Sequence, residues 1–126
     1  MKLRLQKNSI RFRVRKSDLE LLNQQGFVQE SVQFPNTVFM FQLRVSGEDE
    51  PAAEFSGNSI TANIPAGIAT AWMNTGEVGI YHVQHINNQT LEITIEKDFP
   101  CKDRSEEDRS DTFVELAGNS GKNEVC

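Results

Sequence analysis

Residues 8–28 and 58–78 match each other at a fixed offset of 50 positions. Asn8-Ser9-Ile10 recurs as Asn58-Ser59-Ile60. Beyond it Phe12 faces Ala62, Val14 faces Ile64, Leu19 faces Ala69, Leu22 faces Trp72, Gly26 faces Gly76 and Val28 faces Val78, with no gap. A repeat of this period constrains the fold strongly, because each copy is one supersecondary unit that buries its apolar face only against its neighbour.

Local patterning says what one copy contains. Lys2-Leu3-Arg4-Leu5 and Arg11-Phe12-Arg13-Val14-Arg15 alternate with period two, which predicts strands over 2–6 and 10–15 with one apolar and one basic face. Lys7-Asn8-Ser9 is the turn between them. Ser17-Asp18-Leu19-Glu20 has the spacing of a capping box, and the helix it opens is expected to stop at Gly26. Strands are expected over 27–34 and 38–45, with Pro35-Asn36 as their turn. Gly47-Glu48-Asp49-Glu50-Pro51 separates the copies. The second copy gives strands over 53–56 and 60–64 and a helix from about Pro65 to Asn74, with Gly76 as its end. A hairpin of 78–85 and 90–97 around Asn87-Asn88 completes it. Each unit therefore reads strand, strand, short helix, strand, strand. The aromatic set Phe12, Phe27, Phe34, Phe39, Phe41, Phe55 and Trp72 is assigned to the core. The expected organisation is one sheet-dominated α+β domain over 1–99, with repeats of about 1–47 and 52–97, followed by an acidic, flexible tail over 100–126.

Charge is unevenly spread. Residues 1–16 hold seven bases (Lys2, Arg4, Lys7, Arg11, Arg13, Arg15, Lys16) and no acid, whereas residues 98–115 hold seven acids against three bases. The net charge of −5 conceals both. No apolar run approaches the ~20 residues of a membrane span, and the N-terminus enters charge alternation without an apolar signal core, so neither a membrane nor export is expected. With two cysteines, Cys101 and Cys126, the sequence reads as a reduced, cytoplasmic protein.

The second unit, Gly57-Asn58-Ser59-Ile60-Thr61-Ala62-Asn63-Ile64-Pro65 followed by a helix and a hairpin, resembles the swapped-hairpin module of AbrB/MazE-type DNA-binding proteins. Those proteins dimerise into an interlaced barrel. The resemblance implies that two copies in one chain form a pseudo-twofold barrel, as a monomeric pseudo-dimer or as a homodimer. The whole chain also resembles a family of short bacterial proteins of unknown function. It shares their Lys-x-Arg-x-x-x-Asn-Ser-Ile-Arg opening and the blocks Glu96-Lys97-Asp98-Phe99-Pro100-Cys101 and Glu107-Asp108-Arg109-Ser110-Asp111.

The expected function is that of a non-enzymatic binding module. Its N-terminal ribbon would engage DNA or another anionic partner, with Arg11, Arg13 and Arg15 projecting from one strand to contact phosphates or bases and Lys2, Arg4 and Lys7 steering approach. The opposing reading leaves the same face solvated and paired internally with Glu92 and Glu96. Two further alternatives stay open. In one, the acidic tail binds a basic protein, as antitoxins do. In the other, a triphosphate-binding barrel lines a tunnel with Lys2, Arg4, Arg11, Arg13, Arg44, Glu92 and Glu96. No metal ligand set, cofactor motif or catalytic site is identified. His82 and His85, three apart on a strand, face opposite ways and make poor joint ligands.

Overall fold

The computed structural model describes residues 1–100 and 111–116. Among them are eight strands and two helices: β1 (Lys2–Gln6), β2 (Ser9–Val14), α1 (Lys16–Gln25), β3 (Phe27–Gln33), β4 (Val38–Ser46), β5 (Ala52–Ser56), β6 (Ser59–Pro65), α2 (Ala66–Met73), β7 (Gly79–Ile86) and β8 (Gln89–Lys97). Every expected strand and both helices are present. Two-residue turns close the β1–β2, β5–β6 and β7–β8 hairpins, with left-handed residues at Lys7 (φ 54°), at Gly57 and Asn58 (φ 58° and 64°) and at Asn87 (φ 51°). Such turns match the right-handed twist of the strands they join.

The strands form two four-stranded sheets in the orders β1-β2-β8-β7 and β3-β4-β6-β5. In each, two antiparallel hairpins are joined by a central parallel pair, β2 with β8 and β4 with β6. Alternation then sorts the side chains. Ile10, Phe12, Val14, Ile93 and Ile95 turn inward from one sheet, and Val28, Leu43, Ala62 and Ile64 from the other. Leu22 of α1 and Trp72 of α2 complete the same cluster, at 1% and 0% exposure. Each fully buried side chain of this size contributes roughly 1.5–3 kcal/mol.

The outer strands meet through side chains. The Met1 ammonium contacts Glu30 of β3 at 2.5 Å and Asp18 of α1 at 3.1 Å. On the other flank the Ala53 N–H of β5 donates to Gln84 Oε1 of β7 at 2.8 Å, and His82 lies 3.5 Å from Glu50. No backbone ladder joins β1 to β3 or β5 to β7. The expected hydrogen-bonded barrel is therefore two open sheets: at the β5–β7 flank a side-chain amide accepts from the strand-edge N–H.

Several expectations need correction. Strand β2 ends at Val14, so Arg15 is not on it; its N–H donates to Asp18 Oδ2 at 2.8 Å at the start of α1. Asp18, not Ser17 with Glu20, is thus the capping side chain. Gly26 does end α1 with φ 85°, but α2 ends at Met73 and residues 74–78 lead on to β7. The offset of 50 therefore fails after the helices, because this connection is longer than its counterpart. Phe34 and Phe55 are 46% and 69% exposed and lie outside the core. One follows β3 into a turn and the other sits near the end of an outer strand. No tunnel forms from the charged set: Arg44 belongs to the other sheet, and Arg11 and Arg13 face away from the apolar interior. Cys101, the Glu107–Ser110 run, and the tail beyond Leu116 lie outside the described residues.

Candidate functional site

The outward face of the first sheet gathers most of the charged side chains of the N-terminal strands. Because Ile10, Phe12 and Val14 point inward, Ser9, Arg11 and Arg13 point out. Cross-strand register then fixes two rows. One runs Lys2–Arg13–Glu96–Gly79 across β1, β2, β8 and β7; the next runs Arg4–Arg11–Thr94–Tyr81.

Glu96 is the hub. Its Oε1 lies 3.5 Å from Arg13 Nε and 3.6 Å from Arg11 Nη1, and its Oε2 accepts from the Tyr81 hydroxyl at 2.9 Å. Arg13 Nη1 reaches Asp98 at 3.7 Å, whose other oxygen is 3.4 Å from Lys2 Nζ. The Arg13 guanidinium lies over the Phe99 ring, 4.4 Å from its centroid. Arg13 Nε and Glu96 Oε1 are both sealed from solvent and lack a hydrogen-bond partner among the described residues. They attract each other at ion-pair distance only.

Tyr81 owes its pose to Gly79. A Cβ at position 79 would stand 2.8 Å from the Tyr81 hydroxyl, 2.8 Å from Glu96 Cγ and 2.9 Å from the Ile95 carbonyl. The ring thus leans back along its own strand over a bare backbone and delivers its hydroxyl to Glu96. Tyr81 as a residue is 61% exposed, and its hydroxyl is held by Glu96 at the sheet surface. Its pKa is raised, first by partial desolvation against the sheet and then by the hydrogen bond to Glu96 and its charge, with Arg11 and Arg13 opposing.

The six candidate cations separate into two groups. Lys2, Arg11 and Arg13 are engaged by Asp98 and Glu96. Arg4, Lys7 and Arg15 are exposed and have no ion pair among the described residues. Arg4 stands on the outer strand directly opposite Arg11, Lys7 occupies the hairpin tip, and Arg15 lies past the strand beside α1. The internal pairing with Glu96 anticipated by the opposing reading is present for Arg11 and Arg13. Sequence reasoning missed Tyr81, Gly79 and Phe99. The signal was available in part: Tyr81 is the sole tyrosine, and Glu96, Asp98 and Phe99 fall in one motif block.

A second feature is a cleft of about 450 Å³ between the 47–51 loop and β7, lined by Glu48, Glu50, Pro51, Ala52 and His82 to His85. His82 is half-buried and His85 exposed, as strand alternation requires. Among the described residues no group of three or more His, Cys, Asp or Glu is placed to hold a metal. No helix among them is long and apolar enough to cross a membrane.

The chain belongs to a family of unknown function (DUF7009), whose model matches residues 1–116. No curated protein and no solved structure matches it.

Proposed function

We propose that the chain is a tandem pair of AbrB/MazE-like swapped-hairpin units acting as a non-enzymatic binding module, whose β1–β2 ribbon engages an anionic partner, with DNA as first choice. Support for the tandem reading comes from exchange of hairpins. The first hairpin of the first unit pairs with the last hairpin of the second, β2 on β8, and the reverse pairing is β6 on β4. Ile10 lies opposite Ile93, and Ile60 opposite Phe41. Ile10 and Ile60 are 50 apart, while Phe41 and Ile93 are 52 apart, so the two pairings correspond once the longer connection after α2 is counted. Leu22 and Trp72, 50 apart, are both buried.

One observation carries the functional reading: Arg4 faces Arg11 directly across the ribbon, and no carboxylate among the described residues pairs with Arg4. Like charges opposite each other on adjacent strands destabilise a sheet by a few tenths to about 1 kcal/mol. An approaching phosphate removes that repulsion and releases its own counterions. Lys7 extends the positive strip to the turn in a left-handed conformation, the position Gly57 takes in the other hairpin. A lysine there gives up a few tenths of a kcal/mol or more relative to glycine, which a charge-presenting role explains.

The test is binding of mixed-sequence DNA, offered as duplex and as single strand, at ~50 mM salt, where the electrostatic contribution is strong. The proposal expects binding that falls steeply on raising salt and weakens in Arg4→Ala and Lys7→Ala. Absence of binding to either form refutes the DNA reading.

A further inference from the structure

We infer that the outward face of the first sheet is a stacking platform for single-stranded nucleic acid, with Tyr81 and Phe99 receiving bases beside the Arg4–Arg11 ribbon. The inference rests on the anion-binding reading of that ribbon and goes further by naming what the polymer must present. Tyr81 and Phe99 are the large rings of this face, left 61% and 49% exposed among mostly charged and polar side chains, with Val83 as an exposed aliphatic neighbour. Each has one part fixed by the protein. Tyr81 lies over Gly79 with its hydroxyl on Glu96 at 2.9 Å, and Phe99 rests on the Arg13 guanidinium at 4.4 Å. Neither ring has to be ordered on binding, so the usual loss of side-chain freedom is already met in the free protein.

Register brings the cations and the rings together. Arg4, Arg11, Thr94 and Tyr81 occupy one row across four strands. Three interstrand steps of about 4.8 Å separate the first from the last, roughly 14 Å in all. Phosphates held by the ribbon and bases laid on the rings therefore belong to the same short stretch of polymer. Glu96 does not repel it, because Arg11 and Arg13 already face that carboxylate. Glu92, exposed in the adjoining row beside Val83, marks where the path ends. A duplex buries its base faces between neighbours, whereas a single strand can turn them onto aromatic side chains.

The experiment uses the full chain and four fluorescent probes of equal length: oligo(dT), oligo(U), an abasic deoxyribose-phosphate strand and a DNA duplex. The inference expects the base-bearing single strands to bind about tenfold or more tighter than the abasic strand and tighter than the duplex. Tyr81→Ala and Phe99→Ala should each lower oligonucleotide affinity about tenfold, the usual scale of one lost stacking contact, and leave abasic binding unchanged. Tyr81→Phe, which keeps the ring, should stay close to the parent. Equal affinity for abasic and base-bearing strands, or tighter binding of the duplex, overturns the inference while the ribbon reading stands. If none of the four probes binds, the nucleic-acid reading of the ribbon falls together with the inference.

Discussion

The Tyr81 hydroxyl donates to Glu96 Oε2 at 2.9 Å while the other oxygen of that carboxylate faces Arg13 Nε at 3.5 Å. One side chain thereby joins β7 to β2 through β8 and takes up the charge of two arginines. Glu96→Gln removes the negative hub and leaves Arg11 with no carboxylate partner among the described residues, while Arg13 keeps Asp98. Unfolding by denaturant should show a loss of about 2 kcal/mol, the scale for a charged hydrogen-bonding group deprived of its partner. The same variant should bind anionic polymer more tightly than the parent. A variant that loses stability and gains no affinity would separate the hub from any binding role.

Tyr81 is the only tyrosine, so phenolate absorbance reports it alone. Its pKa is raised from the ordinary 10.0, chiefly by partial desolvation against the sheet and then by Glu96. The neutral phenol is thus favoured by folding. The stability it adds is complete below about pH 10 and is lost as pH climbs through the higher folded value. An alkaline titration should place the midpoint above that of the unfolded chain, and Glu96→Gln should bring it down. Coincident folded and unfolded midpoints would contradict the contact.

Gly79 and Gly67 make a paired test of the backbone under that ring. At Gly79 an added methyl meets the Ile95 carbonyl at 2.9 Å as well as the two side chains, and the backbone cannot step aside. Gly79→Ala should cost about 1–3 kcal/mol, as overpacking does, and should return the Tyr81 titration towards its ordinary range. Gly67, inside α2, has open space where a methyl group would stand, with no neighbouring atom within 4 Å. Gly67→Ala, in the first turn of α2, should stabilise by up to about 0.5 kcal/mol, the low end of the helix-interior preference. Thermal melts of the two proteins should move in opposite directions.

The Met1 ammonium predicts a pH effect of its own. Burial alone would lower its pKa, but hydrogen bonds to Glu30 and Asp18 outweigh this and raise it above 8.0. The pair therefore contributes fully below about pH 8, and the contribution disappears as pH rises through the folded value. Chain made with a free Met1 amine should exceed its N-acetylated form by about 2 kcal/mol at pH 7, the scale of a charged hydrogen bond. The gap should narrow on the alkaline side. A gap independent of pH would mean that acetylation acts by crowding rather than by charge.

Much of this architecture is legible in the residues. Period-two alternation marks β1 and β2 because their outward positions are charged, and Asn-containing turns mark the hairpins. The boundary errors have physical sources. Gly76 looks like a helix stop because Gly26 is one, yet α2 ends three residues earlier and only the extra residues before Gly79 bring β7 into register. Arg15 continues the alternation of β2 in type, but Asp18 captures its N–H and turns the chain into α1. Phe55 has the apolar character of a core residue and lies near the end of an outer strand, where it stays exposed. The face itself was half visible. The arginines announced themselves by spacing, whereas the Tyr81–Glu96 contact depends on a glycine whose role is to be absent from the space its neighbour fills.

The central claim is that Arg4 and Arg11, opposed on one ribbon, hold an anionic polymer, and the salt dependence of binding tests it most directly. The logarithm of affinity for a single-stranded oligonucleotide should fall linearly with the logarithm of salt concentration, by about 0.7 for each phosphate neutralised. Arg4→Ala should flatten that slope by about the same 0.7, with the fold and the Tyr81 titration unchanged. A slope identical in parent and Arg4→Ala, or affinity indifferent to salt in both, would contradict the account.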